Sequence, residues 1–169
     1  MKIERKLLFS IIGIINVFLL YLGITYYQSS TIEKVVKGNI LEIIPVNHSE
    51  KVVIIDSSEF IEASSYKKGV FGWRVDGVSS PVSRPRLSEE DFRIDFISSI
   101  TASDRGILYG YAPKSVNMIR FQNNDFDIRY KVHSYYWYIP LEGENLSFNP
   151  EQFSVIYDDG REVFHHSFQ

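Results

Sequence analysis

The hydrophobic and polar positions divide the chain into two unlike parts. Residues 7–27 form a run of 21 residues without a charge, and the run lacks the polar stripe of a helix that packs on a soluble core. At about 1.5 Å per residue, a helix of this length measures about 31 Å, which matches the hydrocarbon thickness of a bilayer. The pattern therefore predicts a transmembrane helix that contacts lipid over residues 7–27.

Two kinds of N-terminal apolar segment fit this position. A cleaved signal peptide has a shorter apolar core, of about 7–15 residues, followed by small residues at the cleavage site. Here the run is longer, residues 26–30 show no A-x-A pattern, and the chain has no cysteine that a lipoprotein would acylate. We expect an uncleaved signal anchor, with the cleaved signal peptide as the alternative.

Basic residues before the apolar run indicate its orientation. They are Lys2, Arg5 and Lys6. The first basic residue after the run is Lys34, so the positive-inside rule predicts a cytoplasmic tail at residues 1–6. We therefore expect a single-pass protein of the cell membrane, with the C-terminal domain outside.

Asn16 lies near the middle of the predicted membrane segment. An amide in lipid is better paired with another helix than left alone, so Asn16 is a candidate for helix association. The alternative is a single tolerated amide, because no pair of small residues four apart accompanies it.

After the anchor, the hydrophobic period changes from helical to strand-like. Residues 28–38 predict a short helical linker, and residues 39–169 predict one extracytoplasmic β domain. Alternation is clearest at residues 126–132, where apolar and charged positions exchange regularly. About ten strands at regular spacing predict an antiparallel β-sandwich, immunoglobulin-like, with a β-barrel as the alternative.

Residues 76–91 interrupt this pattern with Gly77, Pro81 and Pro85 and only scattered apolar positions. Long loops of this kind are often functional. Arg84 and Arg86 lie in the loop and are candidates for contact with an anion or a partner; the alternative is a solvated loop.

Composition narrows the class of partner. Residues 28–169 carry 15 basic and 20 acidic side chains, and this mildly acidic, well-mixed surface argues against nucleic-acid binding. The chain has no cysteine, so it has neither disulfides nor thiolate metal ligands.

Several short motifs carry a resemblance. The hexapeptide K-G-V-F-G-W at residues 68–73 is followed by G-Y-A at 110–112, Y-W-Y at 136–138 and Y-D-D-G-R at 157–161. This arrangement resembles a group of small, uncharacterised membrane-anchored proteins of Bacillus-type Firmicutes. The resemblance implies a membrane location and no particular activity.

No residue pattern predicts catalysis, a cofactor or a metal. Asp125 and Asp127 are better explained as part of a hairpin than as calcium ligands, because no twelve-residue binding loop surrounds them. Ser64 and Lys67 match S-x-x-K but fall in a predicted strand, whereas that motif works at the start of a helix. The histidines have no metal-binding spacing.

Aromatic residues are the remaining candidates. Tyr136 and Tyr138 share one face of a predicted strand, and with Trp73 nearby they would form a surface for a sugar or a protein; the alternative is ordinary packing between sheets. We expect a non-catalytic domain that binds a protein or a cell-envelope partner. The alternatives are an accessory subunit of a membrane complex and, last, a carboxylate-dependent enzyme.

Overall fold

The computed structural model describes residues 2–84, 97–103, 105–112, 115–122, 127–132, 134–142 and 149–164. Within these residues the chain has one long helix, one short helix, a 3₁₀ turn at Pro150–Gln152 and twelve β-strands. Every strand follows the helices, so the prediction of a mainly β domain behind an N-terminal apolar helix is confirmed.

The long helix, α1 (Lys2–Ser29), contains a span that is long and apolar enough to cross a membrane. This span is Leu7–Ser29, 23 residues with a mean hydropathy of 2.5, and none of its most apolar window is buried against the protein. The Thr25 hydroxyl bonds within the helix, since its Oγ1 donates to the Tyr21 carbonyl at 2.9 Å. The helix thus presents apolar side chains, and this hydroxyl is satisfied without a partner from outside the helix.

The short helix, α2 (Ile32–Val35), makes a single turn between α1 and the first strand. Thr31 takes the extended N-cap conformation expected of a helix start, although its side chain makes no capping hydrogen bond. Ile32 and Val36 are buried against the β domain. This packing fixes the segment between α1 and β1 against the β domain.

Sheet A consists of the first five strands, in the order β1-β2-β3-β4 with β5 also paired to β3. Its strands are β1 (Asn39–Asn47), β2 (Glu50–Asp56), β3 (Phe60–Gly69), β4 (Gly72–Val78) and β5 (Val82–Ser83).

Sheet B has the order β10-β7-β6, and sheet C has the order β12-β11-β8-β9. All pairings are antiparallel. The strands are β6 (Ile97–Ala102), β7 (Arg105–Tyr111), β8 (Val116–Gln122), β9 (Asp127–Lys131), β10 (Tyr136–Glu142), β11 (Phe153–Tyr157) and β12 (Glu162–Phe164).

Sheet B lies between the other two sheets. On β7, Ile107 and Tyr109 join the apolar cluster shared with sheet A, whereas Leu108 joins the cluster shared with sheet C. β2 is also buried on both faces, because Val52 faces sheet B and Val53 faces α2. Two-sided burial explains the unbroken apolar run in β2, since a strand that faces solvent on one side alternates instead.

These layers confirm the sandwich and show that the barrel alternative is wrong. A barrel wall has one inner face, whereas sheets A and B each bury both faces. Among the described strands, each sheet also keeps two separate edges instead of closing on itself.

Candidate functional site

The C-terminal end of α1 is joined directly to the turn between β3 and β4. The Ser29 hydroxyl donates to the carbonyl of Phe71 in that turn and also to the Thr25 carbonyl, at 2.8 Å. Gly72 has φ of +106°, and a Cβ on it would overlap the carbonyl oxygen of Ser29. The close approach of the two backbones therefore depends on the absence of a side chain at residue 72.

We expect Gly72→Ala to destabilise this junction by about 2 kcal/mol or more, because alanine adds left-handed backbone strain to a backbone overlap. Thermal unfolding of the full chain in detergent micelles measures the loss. Gly69→Ala is the matched control: its Cβ would meet nothing closer than 3.9 Å and its φ is not positive. Equal stability of the two variants would contradict this account of the junction.

Trp73 does not lie with Tyr136 and Tyr138. It is buried beneath α2, in a cluster that includes Ile32 and Val36. Tyr136 and Tyr138 pack instead against the cluster between sheets A and B. The predicted grouping is wrong because Trp73 faces the opposite side of sheet A, where it packs against the linker that contains α2.

Arg84 is held by a polar cluster at one end of sheet A. Its Nη2 donates to both carboxylate oxygens of Asp56, at 3.0 and 2.8 Å, and Asp56 also accepts from the Tyr135 hydroxyl at 2.6 Å. The guanidinium carbon lies 5.2 Å from the centre of the Tyr135 ring. Arg84 thus makes an ion pair and a cation–π contact while 43% of its side chain stays exposed.

The surroundings of Asp56 favour its charged form. Burial opposes ionisation, but hydrogen bonds from Tyr135 and the Ser58 amide and the charge of Arg84 outweigh it, so the pKa of Asp56 lies below its usual range. Burial and the hydrogen bond to Asp56 raise the pKa of Tyr135 to about 12. A neutral phenol therefore donates to a carboxylate at physiological pH.

We expect Asp56→Asn to cost about 2 kcal/mol of stability, because it weakens several hydrogen bonds to a charged group. Since the folded pKa is depressed, this stability is present above the unfolded pKa of about 3.9 and is lost as pH falls through the folded value. The free energy of unfolding, measured with urea, should therefore decrease less between pH 7 and pH 3 in the variant than in the natural chain. Identical profiles for both proteins would contradict the role assigned to Asp56.

Aromatic contacts continue from Arg84 along one side of the domain. The Tyr135 ring centre lies 5.7 Å from that of Tyr136, and the rings of Tyr138 and Tyr130 are 5.0 Å apart. All four tyrosines are half-buried. Together with Arg84 they form what we call the tyrosine surface: Arg84, Tyr130, Tyr135, Tyr136 and Tyr138.

The tyrosine surface lies where edge strands of all three sheets meet. β1, β10 and β9 are edges of sheets A, B and C, and the Tyr136 hydroxyl bridges two of them by donating to the Leu41 carbonyl on β1 at 3.2 Å. Pro45 in β1 and Pro140 in β10 remove backbone donors from these edges. These prolines disfavour the pairing of a further strand with β1 or β10.

Burial also raises the pKa of Tyr130 and Tyr136. The hydrogen bond with Tyr138 raises the pKa of Tyr130 further, and the negative charge of Glu42 raises that of Tyr136. Both phenols stay protonated at neutral pH. The tyrosine surface thus offers ring faces for stacking and neutral hydroxyls for hydrogen bonds, which suit a sugar or a protein.

A second polar cluster surrounds Glu50, which is 1% exposed. Its Oε2 accepts from Ser103 and from Asn47, the latter at 3.3 Å, and Lys67 Nζ lies 3.9 Å from Oε1. Oε1 has no hydrogen-bond partner within the described part of the chain. Lys67 also pairs with Asp76 at 2.8 Å, so the lysine of the S-x-x-K match serves in ion pairs on β3.

The other predicted residues fall in different places. Asn16 Nδ2 donates to the Ile12 carbonyl of its own helix at 2.9 Å, so this donor needs no second helix. Asp127 is engaged by Arg120 at 2.7 and 2.8 Å. Arg86 and Asp125 lie outside the described residues. Within the described part of the chain, no group of three or more histidine, aspartate or glutamate side chains is arranged to hold a metal.

Comparisons with protein-family models, with curated proteins and with solved structures find no match.

Three of the predicted site residues, Arg84, Tyr136 and Tyr138, come together on the tyrosine surface, and Trp73 does not join them. Tyr130 and Asp56 were not predicted as site residues. The sequence shows the alternation around Tyr130, but it carries no local signal that pairs Tyr130 with Tyr138 or Asp56 with Tyr135.

Proposed function

We propose that this chain is a single-pass membrane protein whose β domain lies outside the cytoplasm. The observation that supports this placement is the 23-residue apolar span of α1, because none of its most apolar window is buried against the rest of the protein. Lipid is the solvent that such a surface matches. The length of the apolar run and the absence of an A-x-A pattern after it favour an uncleaved anchor, and the basic residues before it favour a cytoplasmic N-terminus. The resemblance to Bacillus-type membrane-anchored proteins remains a prediction that agrees with this placement.

The proposed activity is binding, without catalysis, of a protein or glycan of the cell envelope at the tyrosine surface. Half-buried tyrosines offer a partner a large apolar contact area, and they lose little side-chain entropy on binding because packing already restrains them. Arg84 adds a cation whose position is fixed by Asp56. Of the three edge strands beside this surface, β1 and β10 each contain a proline and β9 has exposed charges at alternate positions. Both features disfavour aggregation through exposed strand edges. The surface can thus stay exposed on a soluble domain.

Site-specific photocrosslinking in intact cells tests this assignment. A photoreactive phenylalanine analogue at Tyr138 should give a discrete crosslinked product with a protein partner. The matched control is the same analogue at Val163, which is 40% exposed on the far edge of sheet C. Sedimentation of the detergent-solubilised full chain with insoluble cell wall tests the glycan arm, and Tyr138→Ala should reduce it.

Either a Tyr138-specific product or Tyr138-dependent sedimentation would support the tyrosine surface and identify the class of partner. The same products from both labelled positions, or neither effect, would contradict it.

A further inference from the structure

The turn between β3 and β4 carries two exposed apolar residues. Val70 is 87% exposed and Phe71 is 57% exposed. Two-residue turns between antiparallel strands favour glycine, asparagine and aspartate, which suit both the backbone and solvent. A valine–phenylalanine pair at such a tip indicates contact with something less polar than water.

This turn lies at the outer end of the membrane-spanning segment. Ser29, the last residue of α1, donates a hydrogen bond to the Phe71 carbonyl, and its own carbonyl lies against Gly72. The turn is therefore level with the point where the helix ends. If Leu7–Ser29 spans the bilayer, the turn meets the same membrane surface.

Polar groups beside the turn have the arrangement found at membrane interfaces. Tyr26 and Tyr27 are exposed at the end of α1, and Lys34 Nζ sits 3.5 Å from the centre of the Tyr27 ring. Lys68 is exposed two residues before the turn. Interfacial tyrosines with lysines that reach toward headgroups are typical of this boundary.

We propose that Val70 and Phe71 form a second membrane contact, inserted into the interfacial region of the leaflet in which α1 ends. The occupant is lipid, because the turn is continuous with the lipid-facing helix. This inference rests on the proposed membrane anchoring. Its consequence is that the β domain is attached at two points and keeps a fixed orientation on the membrane.

A single fluorescent label tests the contact, since the chain has no cysteine and each introduced one is unique. Phe71→Cys and, as matched control, Val78→Cys are labelled with an environment-sensitive dye in the full chain reconstituted in phospholipid vesicles. Val78 is 61% exposed at the far end of β4. Six residues of strand place it about 20 Å from the turn.

The label at residue 71 should be quenched by nitroxide groups on lipid acyl chains. Its quenching by aqueous iodide should be about threefold weaker than at residue 78, as for groups about 5–10 Å inside the interface. Unfolding temperatures matched to the unsubstituted chain exclude a folding defect. Alkaline carbonate extraction of the same vesicles reports separately on the anchor.

Equal iodide quenching at both positions in carbonate-resistant protein would overturn the second contact and leave the anchor standing. Shielding from iodide without nitroxide quenching would also overturn it, because a protein and not lipid would then cover the turn. Release of the protein by carbonate would overturn the anchor and this inference with it.

Discussion

Replacing both Ile15 and Leu19 with lysine is expected to remove the chain from the membrane fraction. Both side chains are exposed and lie one turn apart on α1, near the middle of the apolar span. Each lysine at the centre of a membrane helix costs about 2.5–3.5 kcal/mol, so the pair costs about 5–7 kcal/mol. Immunoblotting of supernatant and pellet after alkaline carbonate treatment measures the change.

The matched control exchanges the same residues for apolar ones, Ile15→Leu with Leu19→Ile. This variant should stay in the carbonate-resistant pellet with the natural chain. Retention of the double lysine variant in that pellet would show that residues 7–29 do not hold the protein in the bilayer.

Trp137→Ala should give the largest loss of folding stability, about 3–5 kcal/mol. The indole is fully buried between sheets B and C, and its Nε1 donates to the Tyr111 carbonyl at 3.0 Å. Removal leaves a cavity next to Phe153, whose ring centre lies 6.2 Å away, and an acceptor without its partner. Urea unfolding can be followed by the fluorescence of Trp73, the other tryptophan in the chain.

Trp137→Phe separates packing from hydrogen bonding. Phenylalanine keeps much of the buried ring, so its cost should be clearly smaller than that of alanine. A loss below about 1 kcal/mol for Trp137→Ala would mean that sheets B and C are not packed around this residue, because ordinary surface changes have effects of that size or less.

The apolar helix and the mainly β character of the rest could be predicted from the sequence because their signals are local. An uncharged apolar run needs no tertiary context, and the structure extends residues 7–27 by only two residues, to Ser29. The alternating pattern at residues 126–132 likewise located β9 to within one residue at each end. Local periodicity is sufficient for elements of this kind.

The turn between β3 and β4 lies one step later than local preferences indicate. From the sequence, residues 67–69 predict a turn and residues 70–75 predict the next strand, because valine and phenylalanine favour strands. The structure instead continues β3 to Gly69 and begins β4 at Gly72. Gly69 and Gly72, which stand on either side of residues 70 and 71, are the feature of the sequence that indicates the true position of this turn.

The layering of the sheets could not be predicted either. Periodicity shows that a strand has two faces, but it does not show which sheet covers each face. Trp73 was therefore grouped with Tyr136 and Tyr138, although sheet A separates them. The hydrogen bond from Tyr135 to Asp56, which also holds Arg84 in the tyrosine surface, joins residues 79 positions apart.

Membrane topology is the most direct test of the central claim, that an anchored β domain lies outside the cytoplasm. Asp158 is exposed in the turn between β11 and β12, and Asp158→Cys gives a unique thiol. A membrane-impermeant maleimide should label this variant in intact cells as fully as after lysis, whereas Lys2→Cys should label only after lysis. Labelling of Asp158→Cys only after lysis would place the β domain inside and contradict the account.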